Sequence, residues 1–455
     1  MRVNATASRT TLWIWLVAAL GAIAYAATFY PGAMPFDSGY LWWQARGGTT
    51  SNIHGVGMVW LWRATDFLLP GPAGMFVLQL ALFWSGLALV ATALNARTRW
   101  RIAAMFLAAA APVCFVLMSH VWSDPLLMAT LTCATGALLH ARVSGRHAWL
   151  LAALALLFLP LTLRHNALPA VIPLLIYLVY LWISPQNAHR RWRRVVAAAL
   201  AASLILQTAS LALERTVDQR LSVFPATALW DLAAVSLDVG EILLPPASHG
   251  PALTLDDLAQ AFEPYANTTL FARTHAGMRQ PFFASGDPLN AAVRDAWLNA
   301  IVTHPYAYLA HRGRLARPLF GTHPRVWPRE LVYFDGEYAY DGNPAVAPNT
   351  SAAHAWCLRV FDALRDTLLL AAWPYLLLAL IALAIAWRRR RDADMRPAIA
   401  VLCSGLAYAA PLLIIAPAAE LRYTGWSCLA ALLGVVLVFA APRRSTISAA
   451  YPPAP

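Results

Sequence analysis

Apolar residues along this chain gather into ten long runs, separated by polar stretches that are rich in proline, glycine and arginine. Several runs reach the roughly 20 residues that a helix needs to cross a bilayer. The first run has no small-residue cleavage site after it, so we interpret it as a retained helix rather than a signal peptide. The pattern predicts an all-α integral membrane protein with about ten transmembrane helices. These cover residues 11–29, 73–94, 102–118, 125–141, 148–163, 167–183, 195–213, 367–387, 397–417 and 423–441.

The composition supports this class. Of the 455 residues, 60% are apolar and 12% are charged, whereas soluble proteins are about 25% charged. The net charge of +12 would suggest nucleic-acid binding in a soluble protein, but here the charge follows the loops. The five cysteines form neither a disulfide framework nor a zinc-binding spacing, which points to buried, unreactive thiols.

The arginines orient the predicted helices. The N-terminal stretch and every second loop after it hold 18 arginines together, against only Asp392 and Asp394. Such an excess on one side is the positive-inside pattern of membrane proteins, and it predicts that both termini are cytoplasmic. The segments predicted to lie on the outer side are 30–72, 119–125, 163–166, 214–366 and 418–423.

This arrangement divides the chain into three parts. Residues 1–213 hold helices 1–7 and the first outer loop, 30–72. Residues 367–455 hold helices 8–10 and a cytoplasmic tail. Between them, the segment 214–366 has 12 arginines against 16 acidic residues and is far too long for a linker. We therefore expect an extracytoplasmic domain there.

Local signals inside the segment 214–366 predict helices. Thr254 and the pair Asp287-Pro288 look like helix starts, the second with proline at the first helical position. Helical periodicity runs over 290–303 and again over 306–319. The domain is therefore predicted to be mainly helical.

The first outer loop carries the main candidate for chemistry, Asp37. A carboxylate beneath aromatic side chains at a membrane surface has a raised pKa when it is desolvated, and can then act as a general base. The alternative is a solvated aspartate that caps a turn. The Trp-rich stretch 59–63 predicts a helix that lies in the membrane interface. The turn-forming residues that frame the carboxylate are Pro31, Gly32, Pro35 and Gly39.

A second carboxylate, Asp124, stands in the short Trp-Ser-Asp-Pro turn on the same predicted side. One interpretation is that Ser123 or Asp124 caps the helix that starts at Pro125. The other is that Asp124 converges with Asp37 and forms a site of two carboxylates.

Arginine is scarce in the short outer turns. Outside the first loop and the large segment, only Arg164 and Arg422 occur there. Each either extends to lipid headgroups or binds the phosphate of a lipid ligand through paired hydrogen bonds. Tyr423 adds a phenol donor beside Arg422. Polar residues crowd the same helix ends, among them His165, Asn166 and Glu420.

Histidines and aromatic residues give weaker signals. His54 either donates to a phosphate or sugar or has a structural role at a helix start. Trp327, Tyr338 and Tyr340 are suited equally to stacking on sugar rings and to filling a core. A metal site is not indicated, because no metal-ligand spacing falls on one helix face among His304, His311 and His323.

The first outer loop resembles that of the GT-C-type polytopic membrane glycosyltransferases, in particular a poorly characterised bacterial branch. The similarity rests on Tyr-Pro-Gly-x-x-x-Phe-Asp-Ser at 30–38, Gln44, and Ser-Asn-x-His at 51–54 before a Trp-rich helix. Weaker matches are the Ser-Asp-Pro, Leu-Arg-x-Asn and Arg-Tyr groups at 123–125, 163–166 and 422–423. The sequence departs from the pattern at Gly55, where many relatives have proline, and at Ser38, where one type has a second acid.

The resemblance implies an inverting sugar transfer from a polyprenyl-phosphate donor to a cell-envelope glycan or lipid, at the periplasmic face of a bacterial inner membrane. Asp37 would act as base with Asp124 as a second catalytic carboxylate. The sequence indicates no cofactor and leaves dependence on a divalent metal open. The donor phosphate would be held by Arg422, Tyr423, Arg164 and His54. The acceptor or sugar would be bound by Gln44, His165, Asn166 and Glu420.

Two other classes remain open on the sequence. An O-antigen polymerase or ligase also combines about ten helices with a large outer loop, but would hold its essential arginines and histidine in that loop. A transporter or lipid flippase would place ionisable groups at mid-membrane on broken helices, often in repeated halves. The placeable charges of this chain lie at helix ends, which favours the enzyme.

Overall fold

The computed structural model describes residues 2–183, 192–272, 277–322, 328–336, 339–340 and 342–441, with side chains from residue 9 onward. The predicted helical architecture is confirmed. Only one pair of two-residue strands interrupts it in these ranges: β1 (Leu221–Ser222) pairs antiparallel with β2 (Phe283–Ala284). The helices are α1 (Arg2–Phe29), α2 (Phe36–Ala45), α3 (Val56–Leu68), α4 (Pro72–Ala93), α5 (Thr98–Ala109), α6 (Pro112–Met118), α7 (Ser123–Ser144), α8 (His147–Leu163), α9 (Leu168–Trp182), α10 (Trp192–Glu214), α11 (Phe224–Val239), α12 (Leu255–Ala261), α13 (Thr268–Ala272), α14 (Leu289–Thr303), α15 (Pro305–Phe320), α16 (Ala352–Arg365), α17 (Ala372–Arg388), α18 (Arg396–Ala409), α19 (Leu412–Ile415) and α20 (Gly425–Ala440).

Each of the ten predicted apolar runs forms helix. Six helical stretches in the described residues are long and apolar enough to cross a membrane. The first is Arg9–Phe29 within α1, and the others contain α4, α7, α10, α18 and α20. The pair α5 and α6 is bent by 64° and makes a seventh if counted as one span. Helices α8, α9 and α17 are apolar but shorter. A multi-pass membrane protein is supported, whereas the count of ten spans stays a prediction.

Small residues allow the central helices α4 and α7 to pack closely. A Cβ added at Gly86 of α4 would lie 2.7 Å from the backbone nitrogen of Cys133 in α7. At Gly136 of α7, it would lie 2.5 Å from the Cβ of Leu89. Between membrane helices, such small residues let backbones approach and gain dispersion contacts. Helix α7 is consequently enclosed along most of its length.

The five segments predicted to share the outer side lie together at one end of the helices. Backbone bridges join Ala33 to His120, Ser51 to Gln219, and Ala266 to Ala418, and His165 Nε2 lies 3.1 Å from the carbonyl oxygen of Asn52. The other end carries an ion pair between Arg142 and Asp394, from two segments predicted to be cytoplasmic. The alternation of helix directions thus agrees with the arginine pattern. Which end faces the cytoplasm stays a prediction.

The predicted helices of the segment 214–366 are present. Thr254 caps α12 in a capping box with Asp257, as its sequence indicates. The other predicted start was wrong by one residue: Pro288 precedes α14 instead of occupying its first position. The reason is local, since the Asp287 carboxylate accepts the backbone N–H of Leu289 at 2.8 Å and fixes the start there.

A buried polar network holds this segment together. Asp231 of α11 accepts hydrogen bonds from Trp297 at 2.8 Å and from Arg312 at 2.6 Å, and lies 3.0 Å from His311 Nε2. Arg312 also donates to the carbonyl of Ala416 at 2.8 Å. Breaking such an enclosed ion pair costs about 3–5 kcal/mol. The network therefore fixes the chain just before Glu420.

Candidate active site

Asp37 lies in the first turn of α2, which begins at Phe36 directly after Pro35. The helix is anchored to the turn between α6 and α7, because Ser38 Oγ donates to the carbonyl of Val121 at 2.5 Å. The Asp37 side chain itself is about a quarter exposed. It is thus rigidly placed yet open to a ligand.

The Asp37 carboxylate is paired with an arginine from the far end of the chain. Arg422 Nη1 donates to Asp37 Oδ2 at 2.6 Å, across 385 sequence positions. The Nε atom of the same guanidinium contacts Glu420. Arg422 is only 9% exposed, so both carboxylates bind it in a largely enclosed place. Its pairing with Asp37 brings together two residues that we predicted for the same site.

A second ion pair lies beside the first. Arg164 Nε is 3.3 Å from Oδ1 of Asp124, whose side chain is only 2% exposed. The Arg164 guanidinium also lies 5.3 Å from the ring centre of Tyr423, and Tyr423 donates to Glu420 at 3.4 Å. The capping interpretation of Asp124 is wrong, because the residue before α7 is Trp122 and no side chain caps that end.

His54 completes the group near Asp37. Its Nε2 atom lies 3.8 Å from Asp37 Oδ1. Burial lowers the pKa of His54 to about 4, against the raising effect of Asp37, so the ring is neutral at neutral pH. A neutral imidazole there is suited to donate a single hydrogen bond.

The pKa of Asp37 is lowered, whereas the sequence led us to expect a raised pKa. Burial does raise it, but Arg422, His54 and Arg164 together outweigh burial and hold the pKa well below its usual range. Glu420 shows the opposite result. Burial and the nearby Asp37 raise its pKa, although Arg422 opposes the shift. Of these two carboxyls, Glu420 therefore takes up a proton at the higher pH.

The charges in this group do not cancel. Two guanidinium groups (+2) face the carboxylates of Asp37, Asp124 and Glu420 (−3), which leaves −1 when all five are ionised. An incoming phosphate thus competes with carboxylates for the arginines. In the residues that the structure describes, no three His, Cys, Asp or Glu side chains are arranged to hold a metal ion.

Two other predicted residues have their contacts elsewhere, whereas a third, Asn166, contacts Tyr408, which lies beside Arg164 and Asp124. Gln44 is fully buried, and its Oε1 accepts the backbone N–H of Ser51 at 2.7 Å. His165 bridges the Asn52 carbonyl at 3.1 Å and Glu214 at 3.3 Å. Asn166 is half-buried, beside Tyr408. Their binding roles stay predictions. His323, Trp327 and Tyr338 lie outside the described residues.

His120 and Trp122 belong to the site and were not predicted. The Trp122 ring supports the Arg422 guanidinium, with 4.9 Å from the carbon of that group to the ring centre. His120 stacks on Trp122 with 4.3 Å between ring centres, and its Nε2 accepts the backbone N–H of Phe334 at 2.7 Å. The only sequence signal was their position in the turn that holds Asp124.

Comparisons with known proteins add little to this geometry. No family model and no curated protein matches the chain. A similar solved structure is the crystal structure of ArnT from Cupriavidus metallidurans bound to undecaprenyl phosphate. At 12% identity, the match covers 95% of this chain and 78% of that chain, with a TM-score of 0.35. With a TM-score this low, the similarity supports no conclusion about the fold or the reaction of this chain.

Proposed function

We propose that this protein is a membrane glycosyltransferase of the GT-C type that takes its sugar from a polyprenyl-phosphate donor. The observation that carries the proposal is the 2.6 Å pair between Asp37 and Arg422. It joins a carboxylate suited to proton transfer and a guanidinium suited to phosphate at one enclosed site, as the first-loop resemblance implies.

Phosphate binding would change the state of Asp37. A donor phosphate at Arg422 competes with Asp37 for the same N–H groups. The charge of Arg422 lowers the Asp37 pKa most, and its hydrogen bond adds to this effect, so a phosphate that neutralises the guanidinium and replaces the hydrogen bond raises the Asp37 pKa. Asp37 then becomes a stronger base at the moment the donor arrives. In this arrangement, the ion pair is the resting state of the catalytic carboxylate.

The transfer step follows from these positions. The acceptor hydroxyl oxygen attacks the anomeric carbon of the sugar while its proton moves to Asp37. The bond between that carbon and the phosphate oxygen breaks, and polyprenyl phosphate leaves with the electron pair. Attack from the face opposite the leaving group inverts the anomeric centre. Arg422 and Arg164 stabilise the charge that develops on the departing phosphate.

The remaining predicted residues have supporting roles in this proposal. Tyr423 lies next to both arginines and would donate its phenol to the phosphate. His54, neutral at working pH, would donate to the phosphate or to a sugar hydroxyl. Asp124 holds Arg164 in place from a buried position. We propose the periplasmic face of the bacterial inner membrane as the place of reaction.

The polymerase or ligase alternative is less well supported. It needs arginine and histidine side chains of the large segment to meet the substrate. Of the arginines and histidines that the structure describes there, His311 and Arg312 are 1% and 5% exposed and are both bound to Asp231, so these two have a structural role.

The transporter alternative has no specific support either. Among the described residues, one pair of membrane-type helices is sharply bent, between α5 and α6 at Ala110 and Ala111, and neither of these residues is ionisable. A transport site would instead bring polar or ionisable groups to such a break.

Reconstituted protein tests the proposal directly. Proteoliposomes would receive polyprenyl-phosphate hexoses with a labelled sugar, together with an envelope lipid extract as acceptor. We expect label to move into the extract and polyprenyl phosphate to be released, with Asp37→Asn slowing both about 10²- to 10⁴-fold. If the wild type binds no polyprenyl phosphate, or if the Asp37→Asn variant transfers sugar normally, the proposal is wrong.

A further inference from the structure

Aromatic rings cluster on α2 directly beside the Asp37 carboxylate. Phe36, Tyr40 and Trp43 follow the helical spacing that puts side chains on one face. The ring centres of Phe36 and Tyr40 are 6.5 Å apart, and those of Tyr40 and Trp43 are 5.9 Å apart. Both pairs are near parallel. One side of α2 is therefore a continuous aromatic strip.

Tyr340, from the large segment, extends this strip. Its ring centre lies 5.6 Å from Phe36, 5.6 Å from Tyr40 and 5.7 Å from Trp43. A side-chain hydrogen bond holds the chain near Tyr340 against α2, because Asn343 Nδ2 donates to the carbonyl of Gly39 at 2.7 Å. We call these four residues (Phe36, Tyr40, Trp43 and Tyr340) the aromatic platform.

The aromatic platform is not sealed like a core. Phe36 is 50% exposed, and the other three rings are half-buried. The platform also lies close to the proposed base, Asp37. The Tyr40 ring centre is 6.1 Å from the ring centre of His54, and His54 Nε2 is 3.8 Å from Asp37 Oδ1. A ligand on these rings would thus reach Asp37 with its edge.

We propose that the aromatic platform binds the pyranose ring of the acceptor, so that the acceptor is a glycan and not a lipid without sugar. The inference rests on the proposed function. A pyranose has one face of C–H groups, which stacks on the negative face of an aromatic ring, and a rim of hydroxyl groups. Stacked here, it would direct one hydroxyl towards Asp37, the proton acceptor in the transfer.

A membrane-interface role for these rings fits less well. Aromatic residues in such belts face the lipid headgroups. Here the large segment borders the strip on one side, where Tyr340 packs against its rings and the carbonyl of Gly342 accepts a hydrogen bond from Arg46 of the first outer loop at 3.0 Å. The aromatic platform therefore faces protein and the site rather than lipid alone.

Saturation-transfer NMR on the purified full-length protein tests the inference without any donor. The probes are methyl glycosides of glucose, mannose and N-acetylglucosamine. We expect saturation of the C–H protons for at least one probe, and about a fivefold loss in Phe36→Ala and Tyr340→Ala, as expected for one aromatic contact. Phe36→Leu keeps an apolar side chain without the ring and should show the same loss if Phe36→Ala fails to fold.

The matched control is Trp60→Ala on the neighbouring helix α3, because Trp60 is 48% exposed and lies outside the platform. It should keep the full signal. Equal signals in the wild type and the platform variants, or no glycoside signal in the wild type, would overturn the inference. The proposed function is judged separately by polyprenyl-phosphate binding and by the Asp37→Asn variant, so the two failures are distinguishable.

Discussion

The Asp37 carboxylate and the Arg422 guanidinium, 385 positions apart in the chain, share a 2.6 Å hydrogen bond at the end of the helical bundle where the five polar segments meet. In the proposed enzyme, this bond means that proton acceptor and phosphate binder restrain each other until the donor arrives. Catalysis and donor binding should therefore respond in opposite directions when the carboxylate is neutralised.

Asp37→Asn should reduce sugar transfer about 10²- to 10⁴-fold, the usual contribution of a general base. Binding of polyprenyl phosphate should hold or tighten, because the amide no longer competes as an anion for Arg422. Both quantities are measured on the same proteoliposomes. Asp295→Asn, at a side chain 64% exposed, is the control and should change neither. If Asp37→Asn lost donor binding to the same extent as transfer, the prediction that the two respond differently would be wrong.

Arg422→Gln should weaken polyprenyl-phosphate binding. A hydrogen bond to a charged group contributes about 1.5–3 kcal/mol, so the dissociation constant should rise roughly 10- to 150-fold. Arg422→Lys keeps the positive charge but not the paired N–H donors. Its dissociation constant should therefore lie between those of the wild type and Arg422→Gln. Titration by native mass spectrometry gives the constants, with Arg294→Gln at an exposed position as the control. An unchanged constant in Arg422→Gln would remove Arg422 from the donor site.

Much of the fold could be predicted from the sequence because its signals are local. An apolar run long enough to cross a bilayer is visible from neighbouring residues alone, and so is an excess of arginine in the loops on one side. Every predicted run is helical in the structure. Thr254 likewise carried its capping signal within three residues. The residues named for chemistry were found by composition, since Asp37, Arg164 and Arg422 are charges that stand at the ends of apolar runs.

The pairings could not be predicted, because they are long-range. Nothing near Asp37 in the sequence shows that Arg422 contacts it, so the expected raised pKa had the wrong sign. Trp122 and His120 were missed for the same reason, since their task is to support Arg422 and Phe334 from another part of the chain. Long-range packing also gives a physical reason for the unusual residue after His54.

Gly55 lies against the backbone of α8. A Cβ there would come within 2.3 Å of the Thr162 carbonyl oxygen and the Leu163 carbonyl carbon, neither of which can rotate away. Proline, which many relatives of the resembled family have here, would also carry that Cβ. Gly55→Ala should therefore displace α3 from α8, move His54 and destabilise the protein by about 1–3 kcal/mol, as overpacking does.

Thermal unfolding in detergent measures the Gly55→Ala effect, with Gly313→Ala in α15 as the matched control. A Cβ at Gly313 meets nothing within 4 Å, and alanine is the better helix former. That variant should be as stable as the wild type or more stable. Equal stability of the Gly55→Ala variant would mean that the contact between α3 and α8 is looser than the structure has it.

Asp124→Ala should destabilise the protein more than a typical surface change. It leaves Arg164 without its carboxylate partner at a site where Asp124 is 2% exposed, and breaking an enclosed pair costs about 3–5 kcal/mol. Asp256→Ala, at an exposed side chain, serves as the control in the same unfolding experiment. If Arg164 also binds phosphate, added polyprenyl phosphate should restore part of the lost stability, whereas no recovery would limit Arg164 to a structural role.

The pH dependence of donor binding should reveal Glu420. Burial and nearby carboxylates raise its pKa, so on acidification Glu420 takes up a proton before an ordinary glutamate does. Protonation removes one negative charge from a group that otherwise sums to −1, and an incoming phosphate is then repelled less. A polyprenyl-phosphate hexose is the suitable probe, because its phosphodiester keeps a single charge from pH 5 to 8 while a free phosphate titrates.

We therefore expect wild-type affinity for this probe to rise as pH falls through the pKa of Glu420. Glu420→Gln should bind more tightly than the wild type at neutral pH and lose this part of the pH dependence. The pKa of His54, about 4, lies below that of an ordinary glutamate, and both proteins are compared in the Asp37→Asn background, because donor binding itself shifts the pKa of Asp37. A Glu420→Gln variant with the same slope as the wild type would show that another group takes up the proton.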